Sequence, residues 1–167
     1  MKIFLIGFMG TGKTHWGRQL SHKLNIPFFD LDEKITELAK KSINEIFNDE
    51  GEEYFRLFER DTIHMITDDH ETFVMACGGG TPCYFNNIDY MNRAGTTIWI
   101  STPIEILFGR LVKERSARPL LKNLSDDQIK SYIIKKFSDR KIFYEQADVI
   151  VDETITLDQL VEKTFHA

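Results

Sequence analysis

The chain has 167 residues, 42% hydrophobic and 28% charged, which suits one compact core over residues 1–167 and excludes a disordered polypeptide. Its 21 basic and 26 acidic residues leave a net charge of −5; that is a poor basis for non-specific nucleic-acid binding, so an anionic ligand must be held by local positive charge. No apolar run approaches the ~20 residues that span a bilayer, Met1–Ile6 is too short for a signal peptide, and the two cysteines, Cys77 and Cys83, form neither a disulfide framework nor a metal cluster; the expectation is a cytoplasmic protein with two free thiols.

Lys2–Ile6 is a short apolar run closed by glycine and reads as a buried strand. After a glycine-rich turn, Trp16, Leu20 and Leu24 recur at helical spacing, so Thr14–Leu24 reads as a helix that Pro27 stops. Phe28-Phe29 is a second strand and Leu31–Lys41 a second helix. Ser42 and Glu45 have capping-box spacing, Gly51 stands where that helix should end, and Glu52–Thr67 reads as the next. Thr72–Ala76 is a strand leading to Gly78-Gly79-Gly80; Asn86–Ala94 is helical and Thr96–Ser101 a strand. Pro103 opens a helix at its tolerated first position. Ser116–Asn123 is a polar, basic loop, Ser125 caps a long helix to about Gln146, Ala147–Val151 is the last strand and Thr156–Phe165 the last helix. Strands alternating with helices predict an α/β fold with a mainly parallel sheet covered on both faces.

Gly7-Phe8-Met9-Gly10-Thr11-Gly12-Lys13-Thr14 matches G-x-x-x-x-G-K-[ST] between a strand and a helix, the context this phosphate-binding loop requires. Glycines such as Gly10 and Gly12 let backbone N–H groups turn onto an anion, and the following helix directs its positive end there. Lys13 adds a full charge on the β- and γ-phosphates, and Thr14 supplies an oxygen to Mg²⁺. This points to a nucleoside triphosphate site and leaves the acceptor open.

Asp30-Leu31-Asp32 follows the second strand, where the ends of parallel strands face a ligand crevice. One carboxylate can approach Mg²⁺ through water while the other faces an acceptor hydroxyl; the plainer alternative is that Asp30 only caps a helix. Arg56 and Glu59 are three apart on one helical face, which describes either a surface ion pair or an arginine aimed at a substrate carboxylate. Gly78-Gly79-Gly80 permits close approach to a ligand, or is a flexible turn. The strand before these glycines lacks the acid of a usual Walker B strand, which leaves the outer magnesium role to Asp30 or Asp32. Arg118, with Lys113, Arg115 and Lys122 nearby, makes a loop at about 112–124 that can close over phosphates as a lid. On its own Arg140 would be taken for a surface arginine.

Taken in order, the phosphate loop, Asp30-x-Asp32, Gly51-Glu52-x-x-Phe55-Arg56-x-x-Glu59, Gly78-Gly79-Gly80, Arg118-Pro119-Leu120-Leu121 and Arg140-x-x-x-Tyr144 resemble the shikimate kinase family from Lys2 to about Asp152. The resemblance implies a P-loop NTPase fold of the nucleoside-monophosphate-kinase type: a three-layer sandwich around five parallel strands in the order 2-3-1-4-5. It implies transfer of the γ-phosphate of ATP to the 3-hydroxyl of shikimate, on the route to chorismate and aromatic amino acids. Asp32 would then bind the acceptor hydroxyl, Arg56 and Arg140 the substrate carboxylate, and Gly78, Gly79 and Gly80 line the shikimate site. Lys13, Asp32 and Arg118 are the candidate catalytic residues. Gly10, Thr11, Gly12, Lys13, Thr14, His15, Arg110 and Arg118 are the candidate ATP contacts, with Thr14 on Mg²⁺ directly and Asp30 through water. Arg110 stands one residue further from Arg118 than is usual in that family. His15-Trp16 replaces the usual small or β-branched residue after the loop; Trp16 is expected in the core with Leu20, and His15 near the nucleotide or simply on a partly exposed helix face. A gluconate or nucleoside monophosphate kinase, or a non-catalytic nucleotide switch, would share the loop without needing Asp32, Arg56 and Arg140 together. The expected partners are ATP and shikimate, without nucleic acid or membrane, and the expected state is a monomer.

Overall fold

The computed structural model describes residues 1–167. In chain order the elements are β1 (Lys2–Ile6), α1 (Lys13–Leu24), β2 (Phe28–Asp30), α2 (Leu31–Ala39), α3 (Ile43–Glu50), α4 (Glu52–Asp69), β3 (Phe73–Ala76), α5 (Asn87–Ala94), β4 (Thr96–Ser101), α6 (Ile104–Lys113), α7 (Asp126–Tyr144), β5 (Val149–Asp152) and α8 (Leu157–Phe165). The five strands form one parallel sheet in the order β2-β3-β1-β4-β5, the order the resemblance implied. No helix is long and apolar enough to cross a membrane.

Strand periodicity sorts the core into two layers. Phe4, Ile6, Phe73, Met75 and Trp99 point to one face and pack with apolar residues of α2 to α7. Ile3, Leu5, Val74, Ile98 and Ile100 point to the other, against Leu20 of α1 and Leu160 of α8. The middle strand β1 is therefore apolar on both sides, as a covered parallel strand must be. Trp16 lies half-buried against the second layer, while Leu20 is fully enclosed; the expectation of a core tryptophan holds only in part, because α1 turns that position toward the layer's rim.

Several boundaries differ from the sequence reading. Pro103 is the residue before α6, extended at φ −56° and ψ 144°, and its carbonyl accepts from the N–H groups of Ile106 and Leu107. Its fixed φ suits either place, but α6 starts at Ile104. Ser42 caps α3 by accepting from Glu45 N–H, without the reciprocal half of a capping box. The complete boxes are Ser125 with Gln128 and Thr156 with Gln159. In the basic loop, Leu121 is fully buried while Leu120 beside it is 62% exposed, so one apolar side chain anchors an otherwise polar segment.

The register fixes the site. Leu5 pairs with Ala76, and Asp30 with the same Ala76. The carboxyl ends of β1, β2 and β3 therefore lie level, and the segments leaving them (Gly7 onward, Leu31-Asp32, Cys77-Gly78) open into one crevice.

Candidate active site

The turn after β1 needs glycine: Gly10 has φ 86° and Gly12 φ 90°, left-handed conformations that other residues adopt only at a cost. Gly12 is also the residue from which α1 starts, so the unpaired N–H groups of that helix face the crevice. Lys13 bends back over the loop and donates to the carbonyls of Gly7 at 2.7 Å and Phe8 at 3.0 Å. Burial lowers its pKa to about 8, with Asp32 the main opposing influence. Thr11 is buried and its hydroxyl oxygen has no hydrogen-bond partner. Arg110 of α6 donates to the carbonyl of Gly10 at 2.8 Å, so it grips the loop rather than an open space beside it. His15 is exposed on α1, with its Nε2 2.6 Å from Gln19 Nε2.

Asp30 caps α2, the plainer of the two sequence readings, and also receives Thr14. One oxygen accepts from Glu33 N–H at 3.2 Å and caps α2; the other accepts from the Thr14 hydroxyl at 2.8 Å. Asp32, in the first turn of α2, is reached by water through the crevice, yet the surrounding protein desolvates it enough to raise its pKa. Asp30 adds to that rise, and Lys13 and Arg56 oppose it.

The pair on α4 is not a surface pair: Arg56 is 7% exposed and Glu59 1%. Arg56 Nη1 donates to Glu59 Oε1 at 3.1 Å, and Glu59 Oε2 accepts from the Thr81 hydroxyl at 2.8 Å. Burial raises the pKa of Glu59, while Arg56 and Thr81 oppose that. The Tyr84 ring covers Arg56, with Cζ 4.1 Å from its centroid. Neither Thr81 nor Tyr84 was singled out from the sequence; the turn Thr81–Cys83 directly after the three glycines is the local feature that could have marked them.

Each of the three glycines lies beside one of the candidate acceptor-binding side chains. A Cβ at Gly78 would lie 3.4 Å from Asp32 Oδ1, one at Gly79 3.0 Å from Arg140 Nη1, and one at Gly80 2.5 Å from Arg56 Nη2. Tyr144, one turn after Arg140, is fully buried and donates its hydroxyl to the carbonyl of Gly79 at 2.6 Å. The reading of Gly78-Gly79-Gly80 as close approach thus has a specific content: a side chain at Gly80 would displace the Arg56 guanidinium, one at Gly79 would crowd Arg140, and one at Gly78 would sit in ordinary contact with Asp32.

A cavity of about 530 Å³ joins these parts, lined by Gly10, Gly12, Lys13, Thr14, His15, Asp30, Asp32, Gly78, Gly79 and Arg118 among others. Arg56, Gly80 and Arg140 lie next to this lining, reached through the glycine turn, and Arg110 stands behind the loop. Arg118 is held by Glu114, at 2.8 Å through Nε and 2.7 Å through Nη2. A slightly larger cavity of about 580 Å³ between β5 and α8 contains Lys163 and His166 but none of these groups. No group of three or more His, Cys, Asp or Glu could hold a metal ion by itself. Thr14 and Asp30 offer two hard oxygens side by side, which fits a Mg²⁺ ion that keeps most of its waters and takes phosphate oxygens. Cys77 and Cys83 are both free thiols. Burial pushes the Cys83 thiol up to about 11 and Cys77 higher still, so neither is a ready nucleophile.

The shikimate kinase family model matches residues 9–167. A shikimate kinase of Azobacteroides pseudotrichonymphae is 42% identical over 162 residues, covering 96% of this chain and 95% of that protein. The crystal structure of a shikimate kinase from Bacteroides thetaiotaomicron superimposes with a TM-score of 0.89 at 36% identity, over 99% of this chain and 95% of that one. That of a shikimate kinase from Acinetobacter baumannii in complex with shikimate gives 0.83 at 27% identity, over 99% and 90%.

Proposed function

Because the chain belongs to the shikimate kinase family, and so transfers the γ-phosphate of ATP to the 3-hydroxyl of shikimate, we propose how its own residues divide that reaction. The observation that carries the division is the glycine turn, which sets Asp32, Arg140 and Arg56 in contact with consecutive residues beside the phosphate loop. Arg56, pre-aimed by Glu59, and Arg140 receive the substrate carboxylate. The ring is thereby oriented with its 3-hydroxyl toward Asp32.

The new bond forms between that oxygen and the γ-phosphorus as the bond from phosphorus to the ADP oxygen breaks. Asp32 orients the hydroxyl and takes its proton. Lys13 exchanges the carbonyls of Gly7 and Phe8 for phosphate oxygens, and Arg118 leaves Glu114 to reach the transferred group from the lid at about 112–124. Mg²⁺, held by Thr14 and through water by Asp30, would spread the charge of the phosphates. Positioning and charge stabilisation supply most of the acceleration, for a turnover on the order of 1–100 s⁻¹.

The test is ADP release from ATP and Mg²⁺ with one acceptor at a time. Shikimate should stimulate strongly, and gluconate and AMP barely. Equal stimulation by all three, or none by shikimate, would overturn the assignment.

A further inference from the structure

Arg56 is held on more sides than its ion pair requires. Its guanidinium carbon lies 4.1 Å from the centroid of Tyr84 and 5.1 Å from that of Phe55. The Tyr84 hydroxyl donates to Glu52 Oε1 at 3.0 Å, and that same oxygen lies 3.5 Å from Arg56 Nε. This Nε is buried and has no hydrogen-bond partner. Burial first, and the Glu52 contact second, raise the phenol's pKa, so it remains a donor.

The backbone that delivers Tyr84 is unusual. Phe85 at φ 47° and Asn86 at φ 57° are consecutive left-handed residues, a costly state for a bulky aromatic. The segment is tied down on both sides of that strain. Asn87 N–H donates to the carbonyl of Tyr84 at 2.9 Å, and the buried Asn87 side chain donates to the carbonyl of Thr81 at 2.9 Å. The Thr81 hydroxyl in turn holds Glu59. The strained turn and the Arg56–Glu59 pair are thus one connected unit.

We propose that Tyr84 is a positioning residue for the acceptor: with Glu52 it fixes the plane of the Arg56 guanidinium and forms the outer rim through which a planar carboxylate reaches it. The inference rests on the reading of Arg56 as a carboxylate-binding residue. One ion pair lets a guanidinium pivot about the bonded nitrogen. A ring stacked on its face removes that freedom before the substrate arrives, and so lowers the ordering cost of binding. The electron-rich face also replaces water over the cation.

The test compares Tyr84→Leu, Tyr84→Phe and Arg56→Lys by steady-state kinetics, titration of each substrate and thermal melting. Tyr84→Leu should raise the KM and Kd for shikimate about tenfold, leaving those for ATP and the melting temperature nearly unchanged. Tyr84→Phe keeps the ring and should restore most of the affinity. If leucine disturbs the turn, Tyr84→Met fills similar space without a ring and carries the same expectation. An unchanged shikimate KM in the leucine or methionine variant, or an equal loss for ATP and shikimate, overturns the proposal when Arg56→Lys still weakens shikimate selectively. If Arg56→Lys itself leaves shikimate binding intact, the reading of Arg56 fails instead, and the proposal with it.

Discussion

Between Gly7 and Thr14 the phosphate side of the cleft is a contiguous stretch of chain, and what it presents is largely backbone N–H groups, one lysine and one hydroxyl. The proposed acceptor side draws Asp32 from α2, Arg56 from α4 and Arg140 from α7, charged side chains that lie beside Gly78, Gly79 and Gly80 in turn. The first is organised by local conformation. The second is organised by packing: a buried ion pair, a stacked ring and a turn with no room for a Cβ at Gly80. Damage to the first should therefore remove chemistry and spare the fold, whereas damage to the second should shift acceptor affinity and, where a buried charge is stranded, the fold as well.

The sharpest separation is expected from Lys13→Ala. Lys13 contacts only loop carbonyls and pays a burial penalty already, so turnover should fall by about a hundred- to a thousandfold with no loss of melting temperature. A variant that melts much earlier would mean that the loop, too, is held by packing.

Arg56→Lys comes next. A lysine keeps the counter-charge for Glu59 but loses the fork, so shikimate binding should weaken by roughly 1.5–3 kcal/mol with ATP binding nearly unchanged, as read by isothermal titration. Alanine is a poorer probe, because stranding Glu59 in the interior costs ~3–5 kcal/mol of stability. Loss of ATP affinity equal to that for shikimate would erase the distinction between the two sides.

Gly80→Ala tests the packing itself. The added methyl would meet Arg56 Nη2 at 2.5 Å, and Arg56 cannot yield freely while Glu59 and Tyr84 hold it. Shikimate affinity should drop about fivefold, or ~1 kcal/mol, with phosphate binding spared. An unaffected variant would show that the turn has slack.

The smallest effect is in pH. On the proposed reading the ammonium form of Lys13 binds phosphate, so ATP affinity of the free enzyme should be full below about pH 8 and decline as pH rises through it, by about threefold between pH 7.5 and 8.5. Shikimate affinity should stay flat there, because guanidinium groups do not titrate. Titration across this range separates the two, and Lys13→Arg should flatten the ATP curve. The linkage to stability has the opposite sense. Lys13 binds its proton less tightly when folded than at the ordinary 10.5, so between these values the unfolded chain holds more protons and stability of the free protein rises with pH.

What the sequence by itself determined is what contiguous residues decide. The alternation of short apolar strands with amphipathic helices required a covered parallel sheet, and the spacing of Gly7, Gly12, Lys13 and Thr14 required a phosphate loop, because strand period, helix period and left-handed turns are properties of neighbours in the chain. The acceptor residues were legible only as an ordered set resembling a family; singly, Arg56 and Glu59 matched a surface pair and Arg140 a solvated arginine. Only the tertiary structure decided that the pair is buried, that Asp30 both caps α2 and receives Thr14, that Arg110 grips Gly10, and that Tyr84 lies on Arg56. Those facts depend on β1, β2 and β3 ending level at Leu5, Asp30 and Ala76. That alignment brings distant segments into one crevice, and whether a charge is desolvated there depends on what packs around it rather than on its neighbours in sequence.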